Sequence, residues 1–478
     1  MATIANIAEN PAVQAGLEPQ ASWVELGLIR LGRRIPGLDG LSASTRVLTA
    51  VRGSAWTAAG YGASQLARLA STVVLARMVA PQAFGLVALV TVYLSGLELL
   101  SDLGIGMDVV QHKRGDDPVF INTAFMIQAV RGIMLWGVAW GLAYPFASFY
   151  KQPAVLALAI VGSCSTLAGA FNSGSIWMLT RHVRRKELML LTTGSEVCGL
   201  IVAVIWALIS PTAWALVVGR VAATVARMVW SHVIAEYPMS LTWDPRAARE
   251  ILAFGAGIFV SSATHFLAGE AVRLVVGKFV NLIELGCFSL ALAISGAAGR
   301  GLQELIMQVF FPMMSKSFRE NRDAAFEQYK KTRRLLLILS AALGVGFVAG
   351  GKWVVHILLG AKYAEAGWML QLLGTQWALE LFVTLAAVML FAVGTSRFTA
   401  MGNACKLGFL GVGLFITFSK FGLHEAMWVI ALAPLANYAV VLLGLRRRCA
   451  AVLREEVLSF AGFAAVTAVA LAICGVGR

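Results

Sequence analysis

Charge is what this chain lacks most. Of its 478 residues, 13% are Asp, Glu, Lys or Arg and 59% are hydrophobic, whereas a soluble domain carries about 25% charged residues. So little charge cannot cover a water-facing surface of this length, which excludes an ordinary soluble globular protein. Mean hydropathy is +0.77. Acids are scarcer than bases, 25 against 39, for a net charge of +14. Such an excess tracks phosphates only where the bases gather on one polar face. Here they recur in short bursts between apolar runs, the pattern of the positive-inside rule, so no nucleic-acid partner is expected. The six cysteines, Cys164, Cys198, Cys287, Cys405, Cys449 and Cys474, form no CxxC pair and lie mostly in apolar runs, as small buried hydrophobes rather than disulfides or zinc ligands. There is no P-loop, and the histidines have no metal spacing. The glycine-rich LGVGFVAGG (343–351) sits inside an apolar helix with no preceding strand, so it reads as helix packing rather than a dinucleotide loop. No cofactor or metal is expected, and the short connections leave no room for an extramembrane catalytic domain.

What remains is a succession of apolar runs. A bilayer core needs about 20 apolar residues per helix. That ruler predicts spans at 54–78, 84–107, 119–142, 154–179, 188–209, 212–235, 250–277, 284–312, 334–358, 366–393, 398–419, 425–445 and 457–476. The last is short, so the total stays open between 12 and 14. The first run begins near Gly53, and the first helix is expected to serve as the insertion signal. Residues 1–52 form an amino-terminal tail. Its arginines, from Arg30 to Arg52, are the first of a series of basic connections. His112-Lys113-Arg114, then Arg181 to Lys186, Arg246 with Arg249, Lys316 to Arg334, and Arg446 to Arg454 follow at every second turn. The intervening turns, VAPQA, SPT and AKYAEAG, are poor in charge. The alternation predicts a cytoplasmic amino terminus and cytoplasmic basic loops.

An internal repeat divides the chain. ARMVAPQAFGLVAL (76–89) and GKFVNLIELGCFSL (277–290) align Arg77 with Lys278, Val79 with Val280, Gly85 with Gly286 and Leu89 with Leu290. Each follows the first helix of a six-helix half. Six is even, so the halves share one orientation, as in parallel-repeat transporters with a pseudo-twofold axis along the membrane normal. The expected fold is an all-α polytopic membrane protein with two six-helix bundles, 53–236 and 250–446, and an extra carboxyl-terminal segment, 447–478.

Charges also occur inside the spans. MIQAVRGIMLWGVAW (126–140) carries Arg131 in an otherwise apolar stretch. Arg68, Arg220, Arg227, Arg273, Arg300 and Lys406 share that depth, with Glu98, Asp102, Glu196, Glu270, Glu304 and Glu380. Each costs about 2.5–3.5 kcal/mol at a helix centre, so they are expected to face partners or a wet cavity. Glu270–Arg273 and Arg300–Glu304 have the spacing of local pairs. Arg68 and Arg131 have no acid within a turn and need a partner on another helix, such as Glu98, or an anionic ligand. Arginine suits bidentate phosphate contact. Arg68, Arg131, Arg220, Arg273 and Arg300 are the candidate substrate-binding residues, in a cavity between the halves. Glu98, Asp102, Glu304 and Glu380 are the candidate coupling or ion-pair carboxylates.

WTAAGYGASQLARLASTVVLARMVAPQAFGLVALV, SDLGIG (101–106), QHKRGDDP (111–118) and NTAFMIQAVRG (122–132) together resemble the amino-terminal half of Wzx-type bacterial polysaccharide flippases. These belong to the multidrug/oligosaccharidyl-lipid/polysaccharide exporter superfamily. The shared Arg-x-x-x-Pro-x-x-Phe-Gly turn matches Arg77, Pro81, Phe84 and Gly85. Members usually have 12 or 14 helices, so a count of 13 departs from the pattern at the carboxyl-terminal end. The resemblance implies translocation of undecaprenyl-pyrophosphate-linked oligosaccharide repeat units across the bacterial inner membrane for exopolysaccharide biosynthesis. It implies a cationic lumen, alternating access, and membrane lipids, a polymerase and export machinery as partners. Two alternatives stand beside it. One is a multidrug cation antiporter of the same superfamily, which the basic excess at depth disfavours. The other is a membrane polysaccharide polymerase or glycosyltransferase, which the lack of a large loop disfavours.

Overall fold

Proline and short polar side chains mark where the helices start. In the computed structural model, which describes residues 62, 65, 67–99, 103–235, 239–448 and 450–474, Pro118, Pro153 and Pro245 each open a helix. Their missing N–H falls where no intrahelical partner exists. Asp117 and Asp244 cap two of these helices, accepting hydrogen bonds from the backbone N–H groups of Val119 and Arg246. Among the described residues the secondary structure is helical, with no strand. In chain order they form α1 (67–78), α2 (Pro81–Leu99), α3 (Ile105–Gln111), α4 (Pro118–Phe149), α5 (Pro153–Ala170), α6 (Ser175–Arg181), α7 (Arg185–Ile209), α8 (Ala213–Val233) and α9 (Pro245–Phe279). There follow α10 (Leu282–Leu305), a π-turn (Ile306–Phe310), α11 (Phe311–Glu320), α12 (Arg322–Leu359), α13 (Glu365–Ala392), α14 (Arg397–Lys420), α15 (Leu423–Leu432), α16 (Pro434–Arg448) and α17 (Ala450–Ile473).

Among the described residues, 11 helical stretches are long and apolar enough to cross a membrane. Each coincides with one of the thirteen predicted spans. The other two, 54–78 and 250–277, fall partly outside the described residues or within α9, whose side chains between 256 and 268 are not described. The ends differ where backbone chemistry intervenes. The run 84–107 is described as helix to Leu99, residues 100–102 lie outside the described residues, and α3 begins after Gly104, whose φ of 59° lies in the left-handed region. The run 425–445 is interrupted before Pro434, because a proline ring cannot sit against the preceding turn of a continuous helix.

α2, α4, α5, α7 and α8 pack on one another as one bundle, and α10, α12, α13, α14 and α16 as a second. The fold is thus an all-α polytopic membrane protein of two helical bundles with a further carboxyl-terminal helix, α17, which leans on α12 and α16.

The bundles meet where the repeat lies. A Cβ on Gly85 of α2 would fall 2.1 Å from the carbonyl oxygen of Leu282, and one on Gly286 of α10 would fall 2.0 Å from that of Pro81. Pro81 and Leu282 hold equivalent places, four residues before their glycines. Each copy therefore presses its glycine on the first turn of the other, the reciprocal contact that a twofold relation demands. Leu89 and Leu290, the next aligned pair, are both buried beside this crossing.

One charge lies elsewhere than its sequence context suggests. Lys316 to Arg334 reads as a cytoplasmic connection, yet α12 already starts at Arg322, and Arg333 is 2% exposed. It forms a buried ion pair with Glu456 of α17. The Tyr329 hydroxyl donates to Glu456 at 2.6 Å and that of Tyr438 at 3.1 Å. The guanidinium lies over the Phe382 ring, 4.9 Å from its centroid.

Candidate functional site: a polar cavity in the first bundle

Polar residues line the interior of the first bundle because five helices each turn a polar stripe inward. On α8 the stripe is Arg220, Ala223, Thr224 and Arg227, and on α4 it is Gln128, Arg131, Gly132 and Leu135. Both follow i, i+3, i+4, i+7, one face of a helix. α2 contributes Ser95 and Glu98, α5 Ser165 and Thr166, and α7 Thr192, Ser195 and Glu196. Together they enclose a cavity of about 580 Å³. That is within the size range of small-molecule sites.

The lining places three guanidinium groups against two carboxylates. Arg131 donates to the Glu98 main-chain oxygen at 2.8 Å. The Glu98 carboxylate accepts from the Thr166 hydroxyl at 2.8 Å. Gln128 is held by the Ala170 carbonyl at 3.0 Å. Arg68 of α1 reaches Glu196 at 3.3 Å, with both side chains partly exposed. Two lining groups have unused hydrogen-bonding capacity among the described residues: Nε of Arg227 and Oδ1 of Asn172 are buried without a partner. Buried polar atoms are rarely left so. A polar ligand with both an acceptor and a donor would satisfy them.

Of the five arginines expected to bind substrate, the structure brings Arg131 and Arg220 to this cavity and joins Arg68 to it through Glu196. Arg273 is placed apart, bound at 2.7 Å by both carboxylate oxygens of Glu270 one turn away. Arg300 lies over the Trp377 ring, 6.0 Å from its centroid. Of the four carboxylates, Glu98 lines the cavity and Glu380 pairs with Lys406 at 2.6 Å. Glu304 stands at the end of α10, just before the π-turn, and Asp102 lies outside the described residues. Arg227 and Glu196 complete the cavity and were absent from both candidate sets. Their signal was legible: each lies a whole number of turns from another polar residue on an apolar helix. Among the described residues, no group of three His, Cys, Asp or Glu side chains comes together as metal ligands would.

The end of the molecule below this cavity is laced by the basic connections. Arg114 binds the capping aspartates of two helices, Asp117 of α4 at 2.9 Å and Asp244 of α9 at 3.3 Å. Arg181 binds Asp116 at 2.8 Å and the last carbonyls of α3. Hydrogen bonding from Arg181 holds the Asp116 carboxyl below its ordinary range, and the backbone N–H of Arg246, then Arg114, do the same for Asp244. Burial pushes the Asp108 carboxyl the other way.

Comparison with known proteins follows the same lines. Residues 74–367 match the family model described as polysaccharide biosynthesis protein. The teichuronic acid biosynthesis protein TuaB of Bacillus subtilis (strain 168) is 20% identical over 345 residues, covering 72% of this chain and 71% of that protein. The succinoglycan biosynthesis transport protein ExoT of Rhizobium meliloti (strain 1021) is 18% identical over 335 residues, covering 70% and 67%. Among solved structures, the lipid II flippase MurJ in an inward closed conformation superposes with a TM-score of 0.64 at 10% identity, over 89% of this chain and 98% of that one. That likeness is one of fold. With the family model spanning more than half its length, the chain belongs to the polysaccharide biosynthesis protein family, with the two-bundle transporter fold of the Wzx type that its amino-terminal motifs resemble.

Proposed function

We propose that the protein is a flippase for lipid-linked oligosaccharide repeat units, carried on undecaprenyl pyrophosphate, in exopolysaccharide biosynthesis. The observation that carries this reading is the inward stripe of α8. It sets Arg220 and Arg227 two turns apart facing Arg131, with no carboxylate in ion-pair contact with either α8 guanidinium among the described residues. A diphosphate offers the bidentate acceptors that guanidinium groups fit best. Glu98 and Glu196 offset part of the arginine charge, and the arriving headgroup competes with them for the arginines. Neutral polar groups such as Gln128, Asn172 and Thr224 are suited to sugar hydroxyls. The names of TuaB, ExoT and MurJ, respectively a teichuronic acid biosynthesis protein, a succinoglycan biosynthesis transport protein and a lipid II flippase, support this reading.

In this reading the two halves, 53–236 and 250–446, rock about the crossing at Gly85 and Gly286. Their movement exposes the headgroup first to the side bearing the basic connections and then to the opposite side, while the lipid tail stays in the bilayer. The inner membrane is the location, with the amino terminus and basic loops cytoplasmic. Arg68 serves the headgroup's path, and Glu98, Asp102 and Glu304 are the carboxylates through which an ion gradient would act.

The test combines genetics with reconstitution. A strain lacking the protein should accumulate lipid-linked repeat units on the cytoplasmic side. Purified protein in vesicles should move a fluorescent polyprenyl-diphosphate oligosaccharide between leaflets. A variant with Arg131, Arg220 and Arg227 all changed to Ala, present at normal level yet fully active in both assays, overturns the proposal.

A further inference from the structure

The repeated turn does more than mark the symmetry of the halves. Arg77, the first residue of its motif, does not enter the cavity. Its guanidinium donates to the main-chain oxygens of Ile357 and Leu358, the last turn of α12 in the other half; the Nε bond to Leu358 is 3.0 Å. Lys278, its repeat partner, donates to the main-chain oxygen of Phe149, the last residue of α4 in the first half, and its ammonium lies 3.8 Å from the Phe149 ring centroid. α4 and α12 occupy corresponding places, the third helix of each half. A cation at the same repeat position thus caps the same helix of the opposite half, in both directions. Helix carboxyl termini present carbonyls without intrahelical partners and a partial negative charge, which a cation neutralises.

The residues that follow these helices add further contacts between the halves. The Tyr363 hydroxyl donates to the Val79 carbonyl at 2.9 Å, and the Tyr150 hydroxyl donates to the Leu274 carbonyl at 3.0 Å. Lys362 donates to the carbonyls of Arg77 and Val79 at 2.8 and 3.0 Å. Phe84 meets the Tyr363 ring edge-on, with centroids 6.1 Å apart. Arg77, Phe84 and Gly85, three residues of one short motif, all touch the other half at the same end of the molecule.

We infer that Arg77 and Lys278 form a reciprocal latch: each cation caps the carboxyl terminus of the opposing half's third helix and holds the face opposite the basic connections shut. Opening that face breaks both caps, together with the Tyr150 and Tyr363 bonds, and closing it remakes them. The latch needs no ligand and no titration. It sets how rarely the closed face opens and so keeps the empty carrier presented to the other side. The inference rests on the alternating-access reading above, but its test measures accessibility rather than cargo.

Val79 provides the probe, because it is fully buried between the halves. In the full-length protein with its native cysteines changed to Ala, Val79→Cys is reacted with a membrane-impermeant maleimide in vesicles, with reagent added on either side. The expected result is slow reaction in the parent and a rate about five- to tenfold higher in the Arg77→Ala, Lys278→Ala double variant, since both terminal charge contacts are lost. Arg77→Lys with Lys278→Arg should stay near the parent rate. If the double variant does not fold, Lys278→Ala alone should react about two- to threefold faster. An unchanged rate in a double variant of unchanged melting temperature overturns the latch. So does a charge-conserving pair that reacts as fast as the alanines. Faster reaction only from the side carrying the basic loops also overturns the latch, because the face it was inferred to close is the opposite one.

Discussion

The two bundles repeat one turn and one packing plan, yet they handle buried charge in opposite ways. In the first, Arg131, Arg220 and Arg227 converge on a cavity that also holds Glu98 and Glu196. In the second, charge is matched locally: Lys406 with Glu380, Arg333 with Glu456, and Arg273 with Glu270, while Arg300 rests on Trp377. α13 at its centre is buried along most of its length by apolar side chains. A matched buried pair is part of the packing, because removing either member strands the other in a low dielectric. Guanidinium groups gathered around open volume favour an incoming anion. Symmetry of backbone thus coexists with a different placement of buried charge in the two halves.

The largest test of this contrast is the most buried pair. Glu456→Ala leaves Arg333 uncompensated and should cost about 3–5 kcal/mol, read as a fall in melting temperature in detergent. Replacing both members by apolar residues, Arg333→Met with Glu456→Leu, should recover most of that loss. A full loss of stability in the double replacement would mean that the pair does more than pack.

Next comes the cavity. Arg220→Ala with Arg227→Ala should lower translocation by about tenfold or more, given the strength of charged hydrogen bonds to an anionic ligand. The melting temperature should hold or rise as like charges are removed. A destabilised protein with normal transport would place these arginines with the structural charges of the second bundle.

A smaller effect is expected for Lys406 and Glu380, which are about one-fifth exposed. A double-mutant cycle should give a coupling of about 1 kcal/mol in stability with transport unchanged. Lost transport at normal stability would instead make Glu380 a coupling carboxylate.

The smallest effect belongs to the exposed end, outside the membrane spans. The folded-state carboxyl of Asp116 is held below its ordinary range by Arg181. The stability it contributes is therefore present above that range and lost as pH falls through the depressed value. Asp116→Asn should melt below the parent at neutral pH, and the gap should close on acidification below about pH 4. A gap that widens on acidification would contradict this pairing.

Eleven spans were legible because a lipid core imposes a length and an apolarity that local composition must meet. So was the repeat, whose aligned glycines turned out to touch each other's half. The charge-based reading was partial. Arg131 and Glu98 are 33 residues apart in sequence and meet only because α2 and α4 pack in one bundle. Arg333 sat among loop-like bases, and nothing local distinguished it from Lys330 or Arg334; its partner is 123 residues further on. Arg227 and Glu196 followed the helical period of their neighbours but carried no sign of what they would face.

Composition and periodicity alone determined that this chain crosses a membrane many times as helices, with arginines that need polar surroundings. Those properties follow from local terms: the cost of an unsatisfied backbone in hydrocarbon and the cost of a charge at depth. Only the packed structure decided which arginines share a chamber, which are matched by a carboxylate, and that the chamber described here lies within the first bundle. Those outcomes depend on distances between helices remote in sequence, and Coulomb interaction depends on distance in space rather than position along the chain.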